Sequence, residues 1–186
     1  MITRNCLPPL AAMAFAVASC GSTIPMPPST PAELSRAGDL HQAVNAYRGS
    51  RALKPLQRHS GLDQLASRHS EFMRVNRGKF KGPNGPNLSH EGFEYRMDYA
   101  RHQFGIQRLA ENVAYSGGNG PGTVGALTKA WTNSSLHREN MTEEWAVTGI
   151  GIRIDADGTV FATQLFGTSP SAQSQLDFAN KVNRRF

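Results

Sequence analysis

The chain has 186 residues, 39% of them hydrophobic and 18% charged, with a formal net charge of +6 and two cysteines. That length holds one hydrophobic core and scarcely two. Its Lys and Arg residues are scattered, without the basic stripe or interleaved aromatics of a nucleic-acid surface, so the positive charge reads as a solvated exterior and no nucleic-acid partner is expected.

Arg4 is the only charged residue before Glu33 and precedes a mostly apolar run, Leu7 to Ala18, that closes on Val17-Ala18-Ser19-Cys20. This is the layout of a secretion signal. The run is shorter than the ~20 apolar residues a membrane crossing needs, and Pro8-Pro9 interrupts it. Val-Ala-Ser-Cys resembles the lipobox of bacterial lipoproteins, which implies cleavage before Cys20 and a lipid on its thiol, with the membrane as partner through that lipid. Residues 1–19 are then the signal peptide. The absence of Asp after Cys20 suits onward passage to an outer membrane where one exists. With Cys6 removed and Cys20 acylated, the mature domain has no thiols to pair and must be stable through its core.

Residues 20–36 carry Pro25, Pro27, Pro28 and Pro31 among Ser and Thr, the composition of a tether. Leu40, Ala43, Val44 and Tyr47 predict an amphipathic helix from about Ala37 to Arg51, opening a domain over 37–168. Ser60 and Asp63 read as the capping start of a second helix, with Leu62, Leu65, Ala66, His69, Phe72 and Met73 along its stripe. A Gly/Pro loop then delivers Leu88-Ser89-His90, and a third helix follows from Phe93 to Phe104. Leu109 to Tyr115 reads as a buried strand. The glycines between 117 and 122 lack the Lys-Ser/Thr or dinucleotide spacing of a phosphate cradle. A fourth helix from Thr123 to Asn133 and a short helical turn from Leu136 to Met141 lead to two strands, Trp145 to Ile154 and Thr159 to Phe166. Asp155-Ala156-Asp157-Gly158 joins them as a tight turn, without the later oxygen ligands of a calcium loop. Helices among antiparallel strands predict α+β layers. Residues 169–186 read as a polar C-terminal tail.

His90, Glu111 and His137 are the candidate chemistry, because imidazoles and a carboxylate can bind a metal or exchange protons. Their spacing matches no short ligand motif, and on spacing alone each histidine reads first as a hydrogen-bonded group at an element end. His69, on the apolar stripe of its helix, reads as a core histidine bonded to backbone. Ser89 and Ser134 have no nucleophile-elbow sequence around them.

The segments Val44-Asn45-Ala46-Tyr47-Arg48, Ser89-His90, Ala110-Glu111-Asn112-Val113-Ala114, Trp131 with Ser134 to Arg138, Gly149-Ile150-Gly151 and Thr163-Gln164-Leu165-Phe166-Gly167 follow in order. This series resembles the bacterial branch of the CAP superfamily, the SCP-like or cysteine-rich secretory domain. The resemblance implies a three-layer α-β-α sandwich with a central antiparallel sheet and a cleft of two His and two acids. His90, Glu111 and His137 take three of those places, with Asn112 and Ser134 as further ligand-lining residues. Ser134 stands where animal members carry the second acid, and Glu139 and Glu143 are near in sequence.

Three functions are compatible with this reading. One is a monomeric envelope lipoprotein that binds a small apolar or lipid-like ligand at the cleft. The second is a metal-assisted hydrolase, with zinc held weakly by His90 and His137 and Glu111 taking a proton from water. The third is a partner-binding envelope protein without catalysis.

Overall fold

The computed structural model describes residues 26–83 and 85–168. The signal segment 1–19, Cys20 and the tail 169–186 lie outside the described residues.

Helix α1 (Pro31–Gly49) starts at Thr30, whose hydroxyl accepts from the Glu33 N–H while the Glu33 carboxylate accepts from the Thr30 N–H. This reciprocal cap, with Pro31 in the first turn where its missing N–H is harmless, starts the helix ahead of the Ala37 predicted from periodicity. Residues 31–36, read as tether, are therefore helical. Glu33 has a second role. Its carboxylate accepts from Arg153 and from the Ile154 N–H, at 3.0 Å each, and Arg153 also donates to Ser29 Oγ and the Pro27 carbonyl.

Strand β1 (Gln57–Arg58) leads into α2 (Ser60–Val75). The residue that caps α2 is His59, whose ring Nδ1 accepts from the Leu62 N–H at 3.3 Å, and not the predicted Ser60. Asp63 instead accepts from Arg58 and from the Ile150 N–H, tying the helix to the sheet. Helix α3 (Phe93–Phe104) is framed by Gly92 and Gly105, both left-handed at φ 74° and 69°. Then come β2 (Leu109–Ser116), α4 (Thr123–Asn133), α5 (Ser135–Thr142), β3 (Val147–Ile154) and β4 (Val160–Gly167).

The sheet order is β1-β3-β4-β2, antiparallel throughout except that β1 pairs parallel to β3. The expected antiparallel sheet is thus mixed at one edge, because a two-residue strand passing from α1 to α2 is too short to show an alternation. Period-two alternation distributes the core to both faces. Ile150, Ile152, Ala162 and Phe166 pack with Leu40, Val44, Leu127, Trp131 and Met141 of α1, α4 and α5. Leu165 packs on the other face with Leu62, Leu65 and Ala66 of α2 and Ala100 of α3, and Val113 and Phe161 meet Met73 there. The result is an α+β, α-β-α sandwich.

Two glycines set the distance between α2 and the sheet. A Cβ on Gly149 would overlap the backbone of Leu62 and Asp63, and one on Gly151 would overlap that of Ala66 and Ser67. Helix backbone cannot give way as a side chain can. Gly151→Ala is therefore expected to cost about 3 kcal/mol or more, at the upper end of overpacking substitutions. Gly125→Ala, exposed in α4 with open space at its Cα, should stabilise by roughly 0.5–1 kcal/mol through helix propensity. Urea midpoints of the two variants check the contrast.

Candidate functional site

Glu111 is the centre of the site. It lies on β2, where alternation turns its side chain to the face covered by α2 and α3, and only 2% of that side chain is exposed. A carboxylate buried this deeply has to be paired, and three groups converge on it. Arg96 of α3 grips it bidentately, Nε to Oε2 at 2.7 Å and Nη2 to Oε1 at 2.8 Å. His90 Nδ1 lies 2.9 Å from Oε1, and His69 Nε2 lies 3.6 Å from the same oxygen.

Proton positions follow from this geometry. An ionised carboxylate only accepts, so the His90 Nδ1 carries a proton. His69 Nε2 is 2.7 Å from the Ser89 carbonyl, an acceptor, so that nitrogen is protonated too. His69 is thus bonded to backbone from within the core, as its place on the α2 stripe predicts, and it also supports Glu111 from beneath. Burial alone would raise the Glu111 pKa, but the hydrogen bond from His90 and the nearby His69 and Arg96 outweigh it and hold the carboxyl below the usual range. Burial pushes the His69 pKa down to about 4, with the Arg96 charge assisting and Glu111 opposing.

His137 lies on α5, one turn after Ser134, whose hydroxyl caps that helix by accepting from the His137 N–H at 3.4 Å. Burial and then the charge of His90 lower its pKa, so the two imidazoles sense one another. Its Nδ1 is buried and meets no protein partner among the described residues. Asn112 is fully buried and works through the backbone: it donates to the His137 carbonyl at 3.0 Å and accepts from Asn140 at 2.9 Å. Asn112 and Ser134 therefore place His137, and Asn112 presents no surface of its own. Glu143 turns away to Arg108 at 2.6 Å, and Glu139 is exposed. Neither replaces the acid that Ser134 displaces.

Arg96 is the functional residue that sequence reasoning missed. Its signal was present: it shares one side of α3 with Ala100, and a charge on the buried side of a helix requires a buried partner. Its Nη1 also donates to the Glu91 carbonyl at 2.9 Å, which fixes the turn carrying His90.

Beside His90 opens a cavity of about 450 Å³ lined by Lys79, Phe80, Leu88, Ser89, His90 and Glu91. Phe80 and Leu88 pack on Met73, Val113 and Phe161, so the floor rests on the core. Phe80, Phe72 and His69 form a column with ring centroids 5.7 and 5.9 Å apart, linking the cavity to Glu111.

The donor set does not fit the zinc expected at His90 and His137. Among the described residues no group of three His, Cys, Asp or Glu side chains is placed to hold a metal ion. Both Glu111 oxygens are committed to Arg96 and the His69 Nε2 proton to the Ser89 carbonyl, leaving the imidazoles of His90 and His137 where a catalytic zinc takes three protein ligands.

The fold is an α-β-α sandwich with histidines gathered on an acidic residue of its sheet. The chain belongs to the cysteine-rich secretory protein (CAP) family, whose model matches residues 41–166. No curated protein matches it significantly. Among solved structures it is similar to an extracellular SCP-domain protein of Bacillus anthracis, with 24% identity and a TM-score of 0.57, covering 77% of this chain and 45% of that one. It is also similar to a cysteine-rich secretory protein of Staphylococcus aureus (18%, 0.56, 76% and 41%) and to an outer surface protein of Borrelia burgdorferi (16%, 0.58, 73% and 93%). The chain thus spans less than half the length of the first two. These likenesses show the fold.

His69 makes the site sensitive to acid. Its pKa is lower in the folded chain, about 4 against an ordinary 6.5, so the unfolded chain binds the proton more readily. Stability is then complete above pH 6.5 and falls as pH drops from about 6.5 to about 4, by roughly 3 kcal/mol in all. His69→Gln, which keeps a donor toward Ser89, should flatten this limb in urea melts at a series of pH values.

Proposed function

We propose that this chain is an exported envelope lipoprotein, anchored through Cys20, whose CAP domain binds a small amphipathic molecule in the cavity beside His90. The cavity carries this reading. Its floor of Phe80 and Leu88 suits an apolar body, and the His90 imidazole, with Lys79 and Lys81, suits a polar end. Similar folds in proteins described as extracellular or as an outer surface protein agree with export.

The arrangement of Glu111 argues for binding over hydrolysis. A general base at neutral pH is most effective with a pKa near the working pH, and Arg96 and His90 hold Glu111 in the opposite direction. The carboxylate acts instead as a fixed acceptor that orients His90.

Dansyl-labelled undecanoate, whose fluorescence rises in apolar surroundings, tests the cavity. Wild type should bind it, and Leu88→Asp should weaken binding about ten-fold or more, as burying a leucine contributes roughly 1.5–3 kcal/mol. Leu34→Ser, on the exposed start of α1, should leave binding unchanged. Equal binding by wild type and Leu88→Asp would refute the assignment. The anchor is tested separately: Cys20→Ser should move the protein from the membrane to the soluble fraction and abolish labelling by radioactive palmitate.

A further inference from the structure

We infer that Arg96 is the resident cation of this site, standing where a divalent metal would otherwise be drawn, and that its guanidinium makes the cleft metal-excluding. The inference is independent of ligand binding in the cavity.

A buried carboxylate with histidines turned toward one of its oxygens is the raw material of a metal site. Glu111 has that setting, with His90 at 2.9 Å and His69 at 3.6 Å from Oε1. His137 on α5 brings a further imidazole, whose buried Nδ1 meets no protein partner among the described residues. What such a cluster lacks is positive charge, and this chain supplies it covalently. The Arg96 guanidinium spans both Glu111 oxygens at 2.7 and 2.8 Å, and only 8% of its side chain is exposed. Two further donors go to the Glu91 and His90 carbonyls, at 2.9 and 3.5 Å, so four of the five N–H groups are engaged and the guanidinium is held in place.

Two features point the same way. The second acid is absent, with Ser134 spent on capping α5 and Glu143 on Arg108. One negative charge then remains, and one guanidinium neutralises it. A metal would have to displace a bidentate, desolvated pair, the strongest kind of carboxylate partnership a side chain makes. The pair also blocks approach, because both carboxylate oxygens are already in contact with Arg96 nitrogens.

Arg96→Met, similar in length but uncharged, tests this directly. It leaves Glu111 buried without a counter-ion, and zinc should take the vacated place. At about pH 7.5, above the ordinary histidine range, wild type should show no stoichiometric zinc uptake by calorimetry. The variant should bind one zinc per chain at least about a hundred-fold more tightly, the scale on which an unpaired buried charge favours a compensating cation. Adding His90→Ala to Arg96→Met should abolish the gain. Zinc should also raise the melting temperature of Arg96→Met and leave that of wild type unchanged.

Stoichiometric zinc binding by wild type, with Arg96→Met no tighter, would overturn the inference. So would an Arg96→Met chain that folds without gaining zinc affinity, or one that stays unfolded even in excess zinc. Arg96→Lys keeps the charge but not the fork, and it should fold and still exclude zinc; zinc uptake equal to that of Arg96→Met would show that charge is not what excludes the metal.

Discussion

The close seating of α2 on the sheet is the constraint on which the rest of the molecule depends. Because Gly149 and Gly151 leave no Cβ between them and the helix, α2 lies with its backbone directly on β3. Side chains that point sideways from so close a helix reach the level of the sheet's own side chains. Ser70 therefore bonds both the Gly151 carbonyl and Thr163 Oγ1, at 2.9 Å each. One position earlier, His69 comes into reach of Glu111 on β2, two strands away. With side chains at 149 and 151 the helix would stand off, and the underside of the site would open.

That geometry creates an electrostatic problem which Arg96 resolves. An acid enclosed on one side by α2 has lost most of its hydration, and pairing recovers this only when the geometry is excellent. Bidentate contact with a guanidinium meets that condition and adds direction, since the same Arg96 holds the turn before α3 through the Glu91 carbonyl. Removing one partner of such a pair is more damaging than replacing both with apolar groups. The site is accordingly a rigid assembly in which three chain segments share one charge pair, with one imidazole edge left facing the cavity.

Much of this was legible in the sequence. The apolar stripe of α2, the Thr123–Asn133 helix and the strands at 109–116, 147–154 and 160–167 follow from period and composition. The segments around His90 and Glu111 hold side chains that the structure brings into contact. Less legible were features whose meaning depends on a distant partner. Thr30-Pro31-Ala32-Glu33 sits in a proline-rich stretch, so composition hid a capping box that periodicity could not detect. The Gly-Ile-Gly of β3 was visible as a motif, yet its function as a landing surface for α2 exists only in three dimensions. Arg96 was hidden among the charges of α3, where two neighbouring tyrosines, Tyr95 and Tyr99, are exposed and make the helix look superficial. Strand β1 is too short for any pattern.

The clasp between Arg153 and the Pro27–Glu33 segment has a mechanical consequence. Arg153 sits near the end of β3 with 2% of its side chain exposed, and it holds Glu33, Ser29 Oγ and the Pro27 carbonyl together. A pull on the chain ahead of Pro27 is therefore not delivered to the first turn of α1, where a helix would unwind one residue at a time. It is borne by a desolvated ion pair and passed into the strand ladder, whose hydrogen bonds between β3 and β4 share the load. Load arriving at Pro27 thus enters the domain at the end of β3, beside the β3–β4 hairpin, and not through the first turn of α1.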